Sequence, residues 1–172
     1  MEVPYVHRRL TQPRSIRVLH LLPATNPFSP IACDLTEVLL DQRPEYCALS
    51  YAWDGQKLSS PIECGGRGLL VTPNCLAALR QLRDKDDVQT LWIDSICIDQ
   101  TSLEERSQQV ALMGDVYKQA TRVVVWLGEL DEGTAKAFKQ IAEITDSQGF
   151  EAEEFQGELH RRVDRLKEGE LK

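Results

Sequence analysis

Apolar and polar positions along the chain change period several times, and each change marks an element. Residues 16–22 (Ile-Arg-Val-Leu-His-Leu-Leu) alternate and predict a strand. Pro23, Asn26, Pro27, Ser29 and Pro30 then predict a loop, and 31–40 reads as a second strand or an irregular segment. Residues 46–53 are short and apolar, as in a buried strand ended by Asp54-Gly55. Residues 62–71 contain Gly65, Gly66 and Gly68 and predict a hairpin, because a tight turn demands the positive φ that glycine allows. Thr72-Pro73 opens a helix, with Thr72 as N-cap and Pro73 at the first helical position. Its apolar face is Leu76, Leu79 and Leu82.

Residues 90–98 read as the next strand. Ser102-Leu103-Glu104-Glu105 has capping-box spacing, and the following helix should run to about Gln119 with Leu103, Val110, Met113 and Tyr117 on one face. Residues 121–127 are nearly continuous in apolar side chains, which predicts a central strand covered on both faces. A helix over 132–146 carries Ala135, Phe138, Ile141 and Ala142, and 147–172 reads as a charged terminal helix or tail. The order implies a three-layer α/β domain with a largely parallel sheet, flanking helices and a small antiparallel hairpin. The expected organisation is an arm over 1–15, one domain over 16–146, and the tail.

Charge narrows the partners. The 172 residues carry a formal net charge of -7, which argues against general nucleic-acid binding, since a phosphate-binding surface concentrates Lys and Arg. Arg8, Arg9, Arg14 and Arg17 cluster near the start and read as a solvated arm. No apolar run is long enough to span a bilayer and no signal-peptide pattern opens the chain, so the expected location is cytoplasmic. The five cysteines form no C-x-x-C pair and read mainly as small core residues. His7, His20 and His160 are scattered.

Ligands of open parallel sheets bind at the carboxyl ends of the strands. Three such ends carry polar groups: Ser50, Trp53 and Asp54; Asp94, Asp99 and Gln100; and Trp126, Gly128 and Glu129. Each has a plainer reading. Asp94 lies in an apolar strand, where a carboxylate must accept hydrogen bonds or serve chemistry. Asp99 and Gln100 suit a turn or a ligand. Glu105 suits a helix cap or an acid near the pocket edge. Arg106 suits an ion pair or a bound anion. Trp53 suits the core or a stacking surface. Dinucleotide, P-loop and H-E-x-x-H motifs are all missing.

Several blocks nevertheless fall in a familiar order. Tyr46-Cys47-Ala48-Leu49-Ser50-Tyr51-Ala52-Trp53, then Val71-Thr72-Pro73-Asn74 through Arg80, then Leu91-Trp92-Ile93-Asp94-Ser95-Ile96-Cys97-Ile98-Asp99-Gln100, then Val123 to Gly128 resemble the successive motifs of heterokaryon-incompatibility (HET) domains. The resemblance covers about 16–130. It implies a fungal protein of nonself recognition and programmed cell death, acting through protein partners, with self-association open to it. It also implies a distant likeness to TIR domains, some of which hydrolyse NAD. On that second reading NAD is a substrate, Asp94 and Glu105 are the catalytic candidates, and Ser50, Trp53, Asp54, Asp99, Gln100 and Arg106 would line the ligand site. The sequence departs from the family pattern at Trp53-Asp54, where Gly55 is displaced by one, and at Asp99, where the family has Asn. The family's later R-x-W-x-x-Q-E block does not occur before Lys172; Glu129, Glu132 and Glu143 are the acids near the third strand.

Overall fold

The structure is a computed structural model that describes residues 3–53 and 55–128. The expected helix over 132–146, the tail over 147–172, Asp54, Glu129, Glu132, Glu143 and His160 lie outside the described residues.

The described residues form a mixed seven-stranded sheet with three α-helices. Strands β1 (Ser15–Leu21), β2 (Ala32–Leu39), β3 (Cys47–Tyr51), β4 (Ser60–Cys64), β5 (Arg67–Val71), β6 (Gln89–Ile93) and β7 (Arg122–Trp126) lie in the order β5-β4-β2-β1-β6-β3-β7. Helices α1 (Pro73–Leu82), α2 (Asp94–Cys97) and α3 (Leu103–Gln119) follow β5 and β6.

The sheet is only half parallel. The β2–β4, β3–β6 and β3–β7 pairings are parallel, whereas β1–β2, β1–β6 and β4–β5 are antiparallel. The expectation of a largely parallel sheet holds for the β6-β3-β7 half and for the β2–β4 pair, and fails at the centre, where β1 runs antiparallel to both of its neighbours. Nor is the hairpin a separate element. Its strand β4 pairs beside β2 and extends the same sheet. The hairpin turn itself is as expected, with Gly65 at φ 58° and Gly66 at φ 72°.

The centre of the sheet is β1, not the apolar run near residue 124. Every β1 residue except His20 is buried. Strand β7 lies at the edge, and Val123, Val125 and Leu127 are 46%, 62% and 67% exposed. A continuous apolar run cannot distinguish a covered central strand from an edge strand, because strand order depends on distant pairings.

The strand expected over 90–98 stops at Ile93. Asp94 turns the chain: its carboxylate accepts from the Ser95 N–H at 2.7 Å, and its carbonyl accepts from the Ile98 N–H at 3.2 Å. Side-chain capping of local backbone groups competes with the ladder in this way. The core is continuous, with Trp92 fully buried and edge-on to Tyr117 at 5.5 Å.

Helix α1 starts as the sequence predicts, the Thr72 hydroxyl accepting from the Cys75 N–H at 3.1 Å. Helix α3 has the expected bounds but a different inner face. Leu103 and Val110 are 69% and 55% exposed, while Glu105, Gln109 and Val116 are buried. Residues 105, 109, 112, 113 and 116 repeat at helical spacing, so the inward stripe is partly polar. Its polar members find partners. Gln109 Nε2 donates to the Ser15 carbonyl at 2.9 Å, and the Tyr46 hydroxyl donates to the Val116 carbonyl at 2.6 Å.

Candidate functional site

Parallel pairing of β6, β3 and β7 brings their carboxyl ends together. The amino end of α1 joins them through Asn74. Its side-chain N–H₂ donates to the Ala52 carbonyl at 2.8 Å, and its side-chain oxygen accepts from the Trp126 indole at 2.8 Å. The Asn74 backbone N–H donates to Gln56 Oε1 at 3.0 Å. One asparagine thus holds the ends of β3 and β7 to the start of a helix. A cleft of about 410 Å³ opens here, lined by Ser50, Tyr51, Gln56, Asn74, Trp126 and Gly128 among others. Gly128 sits at φ 101°, a backbone conformation that side-chain-bearing residues rarely adopt.

Beside this cleft, at the end of β6, Asp94 is partly buried. Burial raises its carboxyl above the usual carboxylate range, against the lowering effect of the Ser95 N–H and the Trp53 side chain. The Tyr51 hydroxyl donates to Ser95 Oγ at 2.8 Å, and Ser50 hydrogen-bonds to Tyr117. Gln100 reaches back to donate to the Asp94 carbonyl at 2.9 Å. Ser50, Trp53, Asp94 and Gln100 are therefore neighbours of one strand-end region. Asp94 itself is not in the lining of the 410 Å³ cleft.

Glu105, Asp99 and Arg106 do not join that group. Glu105 is bound to Arg17 of β1 through two charge-assisted hydrogen bonds of 2.5 and 2.9 Å, and the two side chains are only 10% and 4% exposed. Arg17 also donates to the carbonyls of Cys97, at 3.0 Å, and Arg8. Glu105 Oε1 accepts from the Asp99 N–H at 2.8 Å. Half of the capping box is present, since Ser102 Oγ accepts from the Glu105 N–H at 3.2 Å, but the Glu105 carboxylate turns to Asp99 and Arg17 instead of Ser102. Burial raises the Glu105 carboxyl; the Arg17 and Asp99 hydrogen bonds and the Arg17 charge outweigh it and hold it below the usual range. The same pairing raises Arg17 although burial opposes it. Asp99 closes an Asx turn on Thr101, accepting from its N–H at 3.0 Å and its hydroxyl at 2.7 Å. Arg106 is exposed and makes no ion pair among the described residues.

Arg17 corrects the reading of a solvated basic arm. It alternates with Ile16 and Val18 on a strand buried on both faces, and a guanidinium so placed requires an acid opposite. An arginine inside an apolar strand run was the one sequence hint that such an acid exists, but it does not say which acid. Arg14 is exposed but not free: it bridges Asp41 at 2.8 Å and Asp115 at 2.9 Å. The role of Asn74 had no such signal, because nothing local distinguishes it from an ordinary first-turn residue.

Among the described residues, no group of three or more His, Cys, Asp or Glu is arranged to hold a metal ion, and no helix is long and apolar enough to cross a membrane. The family model described as Heterokaryon incompatibility protein (HET) matches residues 46–170. The chain belongs to the HET family. This HET chain is 34% identical to Heterokaryon incompatibility protein 6, OR allele, of Neurospora crassa, over 75% of its own length and 21% of that protein. It thus spans about a fifth of that relative. No solved structure matches it. The matched range begins at Tyr46 and takes in both the strand-end cleft and Glu105, while the partner of Glu105, Arg17, precedes it.

Proposed function

We propose that this HET chain acts in fungal heterokaryon incompatibility as an effector module that drives cell death through protein contacts. Membership of the HET family carries the reading. The state of the acids supports contact over catalysis. Glu105 is committed to Arg17 and Asp99, accepting three hydrogen bonds with its charge balanced by the guanidinium. Exposed Val123, Val125 and Leu127 supply apolar surface of the kind that protein interfaces cover. The test is inducible expression in a filamentous fungus, with dye exclusion as the measure of membrane integrity. Dye uptake and growth arrest are expected. Unimpaired growth with abundant folded protein would overturn the proposal.

A second reading is glycosidic cleavage of NAD in the cytoplasm. One observation favours it: a cleft at the carboxyl ends of parallel strands, adjacent to a partly buried Asp94 and a 40% exposed Trp53. On this reading Asp94 faces developing positive charge on the ribose as nicotinamide departs, and Trp53 stacks on a base. Gln100, bonded to the Asp94 carbonyl, orients the Asp94 loop, Ser50 would act on the ligand from the end of β3, and Glu105 serves by holding α3 in place. Release of nicotinamide from NAD by the purified chain, lost on Asp94→Asn, would favour this reading over the first.

A further inference from the structure

Two of the buried cysteines lie directly opposite one another. Cys33 of β2 and Cys64 of β4 are register partners in a parallel ladder. The ladder brackets them closely: the Glu63 N–H donates to the Ile31 carbonyl at 2.9 Å, and the Gly65 N–H donates to the Cys33 carbonyl at 3.0 Å. Register partners on neighbouring strands have backbones about 5 Å apart, within the Cα separation a disulfide spans. Both side chains join the same buried cluster. Their thiols hydrogen-bond to each other. Cys33 Sγ also lies 3.3 Å from the Glu63 carbonyl.

The two sulfurs are not equivalent. The Cys64 sulfur has two hydrogen-bonding neighbours, the Cys33 thiol and the Tyr5 hydroxyl. The Cys33 hydrogen bond lowers the Cys64 thiol below its ordinary value against the opposing effect of burial. The same contact, together with burial, raises Cys33. The Cys33 thiol is placed to donate to the Glu63 carbonyl, which holds its proton, and a thiol so held beside one that accepts from its neighbours is the arrangement of a resolving and an attacking cysteine. Tyr5 belongs to an arm strapped over the sheet edge. Its N–H donates to the Gly68 carbonyl at 2.7 Å, and the Gly68 N–H donates to the Val3 carbonyl at 3.0 Å. Asp34 and Gly65, the chain neighbours of the two cysteines, line a cleft with Tyr5, Arg17 and Arg67, so the approach to the buried Cys64 runs past the arm.

We propose that Cys33 and Cys64 form a dithiol site oxidised by hydroperoxides to a reversible disulfide, with Cys64 attacking and Cys33 resolving. The Cys64 thiolate gives an electron pair to one peroxide oxygen. The O–O bond breaks, and the leaving oxygen takes a proton and departs as water or alcohol, leaving a sulfenic acid on Cys64. The Cys33 sulfur then attacks the Cys64 sulfur. The S–S bond forms, the S–O bond breaks, and the hydroxyl leaves with the Cys33 proton as water. The peroxide is reduced and the two sulfurs are oxidised. Oxidation also removes the thiol that Tyr5 binds, so the arm over 3–9 loosens.

The experiment treats the folded chain with hydrogen peroxide and maps the cysteines by mass spectrometry. The expected product has lost two hydrogens, contains a peptide pair joined through Cys33 and Cys64, and reverts with dithiothreitol. Cys33→Ser should instead accumulate a dimedone-trapped sulfenic acid on Cys64. Hydrogen exchange over residues 3–9 should speed up on oxidation of the unmutated chain, a readout that needs no variant. Oxidation of the less buried Cys47 while Cys33 and Cys64 remain thiols would overturn the proposal. So would a sulfenic acid appearing on Cys33 in place of Cys64.

Discussion

Removing the Glu105 carboxylate should cost more stability than removing any exposed charge on the chain. Glu105→Ala leaves the Arg17 guanidinium at 4% exposure with only carbonyl oxygens around it. It also leaves the Asp99 N–H without its acceptor. Stranding one member of a buried pair costs about 3–5 kcal/mol. With a urea slope of about 2 kcal/mol/M, the unfolding midpoint should fall by roughly 2 M. Glu105→Gln keeps an acceptor for Asp99 but loses the charge, and should fall between the two. The double variant Arg17→Met with Glu105→Leu should recover more than half of the loss, since apolar side chains of similar volume replace a desolvated pair well. It should not recover all of it, because the Asp99 N–H and the Cys97 and Arg8 carbonyls lose their partner. The assay is equilibrium urea unfolding followed by tryptophan fluorescence and by circular dichroism. A Glu105→Ala loss under about 1 kcal/mol would match an exposed ion pair and refute the reasoning. A double variant no better than either single would refute it too.

Three further outcomes follow from the same geometry. Burial raises the Asp94 carboxyl, so the native state holds that proton more tightly than the unfolded chain does; the contribution is complete below the unfolded value and is lost as pH rises through the folded one. Asp94→Asn should therefore melt higher than the unmutated chain at neutral pH, with the gap closing as pH falls below the ordinary carboxylate range; a gap that widens in acid would contradict this. Glu105 has the opposite sign, its carboxyl being held below the usual range, so its stabilising effect should fade as pH falls through the folded value; a melting gap between the unmutated chain and Glu105→Gln that stays as wide in acid as at neutral pH would count against it. Asn74→Ala should cost about 1–2 kcal/mol, because the hydrogen bonds that Asn74 makes to the Trp126 indole and the Ala52 carbonyl are lost; unchanged hydrogen exchange at 52–56 would rule out the strand-tying role.

How much was legible in the sequence follows from the range of each interaction. Thr72 as N-cap, the Gly65-Gly66 turn and the bounds of α3 depend on residues a few places apart, and all stand as read. Strand order depends on pairings far along the chain, and there the apolar run at β7 misled. The strand ending at Ile93 was missed because Ile96, Cys97 and Ile98 are as apolar as strand residues, while one carboxylate at Asp94 turns the chain. In the candidate site, Ser50, Trp53, Asp94 and Gln100 come together as their strand-end positions suggested. Glu105 does not, because its partner Arg17 lies 88 residues earlier and no local pattern couples them. The polar inner stripe of α3 was hidden for the same reason: hydrophobic periodicity finds apolar faces and overlooks buried residues whose partners are polar.

The most direct test of the central claim follows NAD content and dye uptake over time in the same fungal cells after induction of this chain. A module acting through protein contact predicts dye uptake and growth arrest while NAD remains at its starting level. A fall in NAD before the first dye-positive cells, abolished by Asp94→Asn, would contradict the account and make the strand-end region a catalytic one.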